Sequence, residues 1–204
     1  MVHRLTMKFI QELKTIQPER RITIVPVVNV WGRKHVEAGY SCQRKNKNSV
    51  DTNRNYPQRL LHHYAKSSEE YQGKHPFSEP ETQLVRSLLK GASMYVNVHS
   101  GEFSMYMPYD SVLAHPPHYK KMMAKLRDWK KHCPQCAIGP AAIKSFYKAY
   151  GTAVDYATSL VVEAYTFEIY GKNTYDCRSM FNPDELHMDA LIQGWISIMT
   201  EASK

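Results

Sequence analysis

The chain has 204 residues, 43% of them hydrophobic and 11% aromatic, which suits one domain with a sizeable core and excludes a disordered polymer. Its formal net charge is +8, from 27 basic and 19 acidic residues, but no nucleic-acid motif accompanies that surplus. No apolar run is long enough to span a membrane, and Met1-Val2-His3-Arg4 leads straight into amphipathic sequence without a signal-peptide pattern.

In chain order, residues 6–16 are predicted to be helical, ending before Pro18. Residues 22–30 are nearly all apolar and β-branched, as in a strand buried on both faces. Residues 31–64 are rich in Asn, Arg and Lys and show no period, which predicts a long functional loop. Ser78 and Glu81 have capping-box spacing and open a helix that runs to Lys90. Residues 94–99 and 104–109 read as strands. Residues 116–131 are mostly helical, with Met122, Leu126 and Trp129 striping an otherwise basic, solvated helix. Residues 144–157 read as loop with a short helical turn, and 161–170 as a strand. Residues 183–202 read as a helix with Leu186, Ala190, Ile192, Ile196 and Met199 along one side. The alternation is that of an α/β fold.

The four cysteines are Cys42, Cys133, Cys136 and Cys177. A structural zinc site would need a second close pair beside Cys133 and Cys136. The even number permits two disulfides, and Cys133 and Cys136 are equally compatible with a reduced pair.

Four stretches carry chemistry. In Asp51-Thr52-Asn53-Arg54-Asn55, the planar donor fork of Arg54 matches a carboxylate, and Asn53 adds a neutral amide donor. His99 ends an apolar run. Glu168 lies inside another, where a bare charge needs a partner. Tyr147 occupies a loop-like segment that continues to Val154. Taken singly, these are more often a solvated turn, a satisfied histidine, a paired acid and a packing tyrosine.

In this order and spacing, and with Pro76-Phe77-Ser78-Glu79-Pro80-Glu81-Thr82, the chain resembles the zinc metallocarboxypeptidases of the carboxypeptidase A/B type, from about Ile22 to the C-terminal helix. The resemblance implies a mixed, mostly buried sheet flanked by helices, with residues 1–204 forming part of one catalytic domain. It implies that His99 is a zinc ligand, that Asn53 and Arg54 grip the substrate's terminal carboxylate, and that Tyr147 closes over it. Glu168 is then the general base. Val154 lies at the floor of the pocket for the last side chain, which predicts aliphatic or aromatic C-terminal residues. The implied cofactor is one zinc ion, and the implied partners are peptide or protein C-termini rather than nucleic acid or membrane. The implied setting is extracellular or secretory.

Two departures from the pattern shape these expectations. No His-x-x-Glu precedes residues 22–28, so the zinc ligand set is incomplete and the fold is expected to be N-terminally truncated. Lys47 stands where an arginine would polarise the scissile carbonyl, with Arg44 as the alternative cation. The expected function is zinc-dependent removal of C-terminal residues. The alternative is a catalytically inactive module that binds peptide C-termini.

Overall fold

Four strands make one mixed sheet in the order β1-β4-β2-β3: β1 (Met94–His99), β2 (Phe103–Met107), β3 (Ala137–Pro140) and β4 (Glu163–Ile169). The structure is a computed structural model that describes residues 1–145 and 147–204. β4 runs parallel to β1 and antiparallel to β2, and β2 runs parallel to β3. Side chains alternate across a strand. Tyr165, Phe167 and Ile169 of β4 therefore enter one core, with Met122, Leu126, Trp129, Ile192 and Trp195. Ala164 enters a second core, with Val85, Leu89, Ala153, Val154 and Ala157. The same alternation sends Met94, Val96 and Val98 of β1 to the first core and Tyr95 to the second. His99 and Glu168 share the parity of Tyr95 and Ala164, so both lie on the second face.

Helix α1 (Val2–Glu12) buries Leu5 and Phe9 against α8 (Glu185–Ala202). It starts four residues before the predicted helix and, as expected, ends ahead of Pro18. Helix α8 buries Met188, Ile192, Trp195, Ile196 and Ile198, and the Trp195 indole donates to the Ile169 carbonyl at 3.0 Å. Leu186 is 90% exposed instead of facing the core, and Ala190 is exposed too. The buried stripe begins at Met188, and two residues amount to about 200° around a helix.

The predicted strand at 22–30 does not form. β1 is an edge strand paired with β4, and segment 22–28 does not add to its open side. Strand propensity expresses fit to a partner surface, and here Val28 packs against the second core instead. The polar stretch expected to be irregular contains α2 (Val30–Glu37), capped by the Asn29 side chain, which accepts from the Gly32 amide at 2.8 Å. Helix α3 (Pro80–Leu88) has Glu79 as its N-cap, and the Ser78 hydroxyl donates to Glu79 Oε1 rather than forming a capping box. Pro80, preset for the first helical position, moves the helix start beyond Ser78.

Helix α4 (Tyr119–Trp129) buries the predicted Met122, Leu126 and Trp129. Part of its basic face is not free surface, because Lys121 and Lys125 each reach the buried Glu163 carboxylate at 2.8 Å. β3 escaped sequence reading because Ala-Ile-Gly-Pro is short and carries two strand-averse residues. Three short helices complete the chain: α5 (Ala141–Lys144), α6 (Ala153–Ala157) and α7 (Cys177–Phe181). Both cysteine pairs are disulfides, Cys42–Cys177 and Cys133–Cys136. Among the described residues, no helix is long and apolar enough to cross a membrane.

Candidate active site

His99 and Glu168 end their strands as Cα partners across the parallel β1–β4 ladder. Their side chains meet on one face because the ladder fixes register and the pleat fixes side. Beyond them the chain closes tightly. The Gly101 amide donates to the Tyr170 carbonyl at 2.6 Å, and a Cβ at Gly171 would stand 2.0 Å from the Gly101 carbonyl oxygen. Only a residue without a side chain permits that approach.

His99 Nε2, Glu168 Oε2 and Thr166 Oγ1 are buried without a hydrogen-bond partner among the described residues. Buried polar groups are nearly always satisfied, so orphans clustered on one face point to a place that awaits a ligand. Burial lowers the His99 pKa to about 4, helped by the positive field of Arg44. Burial raises the Glu168 pKa to about 8, with Glu102 and Asp110 adding to the rise and Arg44 opposing it. An acid in that state is a proton donor at neutral pH, and it becomes a base when positive charge approaches.

The receptor loop is built around Asp51, which is 4% exposed. Its Oδ1 accepts from the Asn53 amide at 2.9 Å, starting the short 3-10 turn Thr52–Arg54. Its Oδ2 accepts from Arg44 Nε and Nη2 at 2.9 and 2.6 Å, and lies 3.9 Å from Arg54 Nη1. Arg54 is 2% exposed. Its Nη1 donates to the Asn53 carbonyl at 3.0 Å, its Nη2 donates to Glu70 Oε1 at 2.6 Å, and its Nε is unpartnered. Burial alone would depress the Arg54 pKa, but Asp51 and Glu70 outweigh it and raise it. The Asn53 side-chain oxygen accepts from the Ala153 amide at the start of α6, 3.0 Å away. Gly151 seals the other side, where a Cβ would lie 2.4 Å from the Arg54 carbonyl oxygen.

Tyr147 is 55% exposed and lies close enough to contribute to the field at Arg54. With His62, Tyr64, Glu70, Lys148 and Tyr150 it lines a cleft of ≈ 580 Å³. The structure therefore gathers Arg44, Asn53, Arg54, Tyr147, His99 and Glu168 by direct contact or shared field. It does not bring in Lys47, which is exposed. The neighbouring Asn46 and Asn48 both bind Glu79, at 2.7 and 2.8 Å, and hold that stretch against the start of α3. The cation felt at both His99 and Glu168 is Arg44. Val154 is 1% exposed and packed in the second core.

Several acids of the site were not singled out from the sequence. Asp155 accepts from the Asp110 and Ser111 amides and the Ser111 hydroxyl, at 2.8, 3.3 and 2.6 Å. Burial and then the Asp155 charge raise the neighbouring Asp110 to about 7. Glu102, three residues beyond His99, accepts from the Tyr106 hydroxyl. Spacing could have flagged Glu102, but nothing local marks Asp110, Asp155 or Glu70.

His99, with its free ring nitrogen, fits the part of one zinc ligand. A catalytic zinc needs three protein ligands, and among the described residues no three His, Cys, Asp or Glu side chains converge on one point. These residues do not make a zinc site by themselves.

A family profile described as zinc carboxypeptidase matches residues 1–193. No curated protein matches the chain in sequence. Among solved structures, the chain is similar to carboxypeptidase A from Helicoverpa armigera, at 21% identity and a TM-score of 0.82, covering 98% of this chain and 56% of that one. It is similar to bovine thrombin-activatable fibrinolysis inhibitor in complex with tick carboxypeptidase inhibitor, at 20% identity and a TM-score of 0.81, covering 98% and 76%. A further structure of thrombin-activatable fibrinolysis inhibitor matches at 19% identity and a TM-score of 0.82, covering 98% and 57%. The chain thus spans just over half the length of two of these proteins. At such identities the likeness is one of fold.

Proposed function

Because the chain belongs to the zinc carboxypeptidase family, we propose that it grips the free carboxylate of a peptide's last residue and forms the substrate-holding part of a site that hydrolyses the preceding bond. The observation that carries this reading is the buried Arg54, held between Asp51 and Glu70 beside an open cleft. A fixed guanidinium gives a carboxylate a charge-assisted contact that a neutral terminus cannot match. Asn53 is oriented by its bond to Ala153, and Tyr147 stands at the mouth of the cleft to cover a bound terminus.

Arg44, fixed by Asp51, supplies positive charge for the carbonyl oxygen in place of Lys47. Glu168 handles the proton: ionised, it takes one from the attacking water, and it then returns it to the leaving amine. His99 is proposed as one zinc ligand. No step is assigned to the metal, because these residues do not complete its donor set. That same incompleteness favours a second reading for the 204-residue chain, namely peptide binding without cleavage.

An apolar preference rests on Val154, which is buried beside Ala153 and Ala157 in the second core. The Asp110–Asp155 pair supports a different choice. Both acids are raised by burial, and Asp110 acts on Glu168 and feels Arg54, so the pair borders the site. A basic last side chain would relieve this enclosed negative charge.

The test is titration of the chain with short acylated peptides ending in Leu, Phe, Lys or Arg, each as free acid and as amide. Free acids should bind and amides should not, and Arg54→Ala should abolish the difference. Equal binding of acids and amides by the unmutated chain would refute the carboxylate reading. Tighter binding of Leu or Phe than of Lys or Arg would refute the basic preference alone.

A further inference from the structure

Two of the N–H donors of Arg54 are already engaged, although its Nε is unpartnered among the described residues. One terminal nitrogen is bonded to the Asn53 carbonyl, and the other to Glu70 Oε1 at 2.6 Å. Arg54 is 2% exposed. Of these partners, Glu70 is the carboxylate and lines the open cleft, with one third of its side chain in solvent. It sits on a turn whose amide bonds, at 3.1 Å, to the Ser68 hydroxyl, with no strand or helix holding it.

Glu70 offers Arg54 the same chemistry that a peptide C-terminus would offer: a carboxylate oxygen on a guanidinium N–H. It reaches the guanidinium from the cleft that such a terminus would enter. We propose that Glu70 is an internal competitor, a built-in carboxylate that occupies Arg54 at rest and must swing into the cleft before a free C-terminus can bind. This rests on the carboxylate reading of Arg54 given above.

The exchange sets affinity. A ligand binds only the fraction of molecules in which Glu70 has left, so its apparent affinity falls in proportion to that fraction. The contact also sorts ligands by charge. A terminus that carries a carboxylate replaces one charge-assisted bond with another, whereas a neutral terminus would leave the buried Arg54 without that partner. The cost of displacing Glu70 therefore falls most heavily on termini that carry no charge.

The sign of one substitution separates this role from a structural one. If Glu70 competes, Glu70→Gln weakens the resting contact and strengthens binding of a free acid by about tenfold. If Glu70 merely holds Arg54 in place, the same change loosens Arg54 and weakens binding. The experiment is NMR titration of the 204-residue chain with N-acetyl-triglycine, as free acid and as amide, which leaves side-chain preference out. Glu69→Gln makes the same charge change on a residue that is 67% exposed and 3.9 Å from Lys45 rather than bonded to Arg54.

The expected result is tighter free-acid binding by Glu70→Gln, little change with Glu69→Gln, and no gain for the amide. Glu70→Ala should show the same sign. Unchanged or weaker free-acid binding by both Glu70 variants, with the unmutated chain still preferring acid to amide, overturns the competition and leaves the receptor standing. An equal gain with Glu69→Gln shows a general charge effect and overturns it as well. No preference for acid over amide in any form overturns the receptor and the competition together.

Discussion

Replacing Asp51 by asparagine removes the charge that organises the receptor loop. Asp51 is 4% exposed and Arg54 2%, and they stand 3.9 Å apart. Two unit charges at that distance attract by about 4 kcal/mol at an effective dielectric of about 20. The second contact, to Arg44, counts for less. The Arg44 side chain is 43% exposed, and solvent-exposed pairs contribute about 0–1 kcal/mol. Asparagine retains the oxygen that accepts from the Asn53 amide, so the 3-10 turn keeps its start. It also presents an NH2 group to guanidinium donors and leaves Arg54 with Glu70 as its bonded anion. Breaking a buried pair from one side costs about 3–5 kcal/mol, and we expect about 3 kcal/mol here. For a chain of this length that is a fall in Tm of about 6–12 °C. The assay is urea and thermal unfolding of Asp51→Asn alongside Arg44→Ala, which should cost about 1 kcal/mol or less. A loss below about 1 kcal/mol in Asp51→Asn, or equal losses in the two variants, would refute the view that Asp51 stabilises a buried Arg54.

Three further outcomes are expected. The native pKa of Asp110 is raised from an ordinary 3.8 to about 7, so its stability contribution is complete below about pH 4 and is lost as pH rises through 7. The charges facing Asp110 and its partner Asp155 are Arg54, Arg59 and Glu168; Asp110→Asn should flatten Tm against pH between 4 and 8 and exceed the unmutated Tm at pH 8, and an unchanged slope would contradict it. Val154→Asp should lower stability, because it places a carboxylate in an apolar core, and we expect a loss of more than about 3 kcal/mol by urea unfolding. Replacing both Cys42 and Cys177 by serine opens a crosslink spanning 135 residues and should lower stability by about 3–5 kcal/mol by urea unfolding without reductant, with the Cys133–Cys136 disulfide left intact.

Period-two and period-3.6 patterns were legible wherever an element has one wet face or one long buried run. β1, β4 and α4 fall close to their predicted positions, because Met94–His99, Glu163–Ile169 and the Met122–Leu126–Trp129 stripe carry the signal in their own residues. The motif residues His99, Glu168, Asn53, Arg54 and Tyr147 could be singled out only together, through the order and spacing that resemble the zinc metallocarboxypeptidases, because each alone has a more ordinary reading. What the sequence by itself determined is therefore the α/β class, the main strands and the inventory of reactive groups. Only the tertiary structure decided which of them meet. Residues 22–28 have the composition of a strand but do not pair with the open edge of β1. Val154 is apolar in either setting, and packing alone sends it to the core. Lys47 and Arg44 are both cations in one loop, and only the tertiary structure shows that Arg44 is bonded to Asp51 while Lys47 is exposed. Glu70 and Asp110 carry no local signal, since a carboxylate's role depends on what stands within a few ångströms of it, and those neighbours are 16 and 45 residues away in the chain.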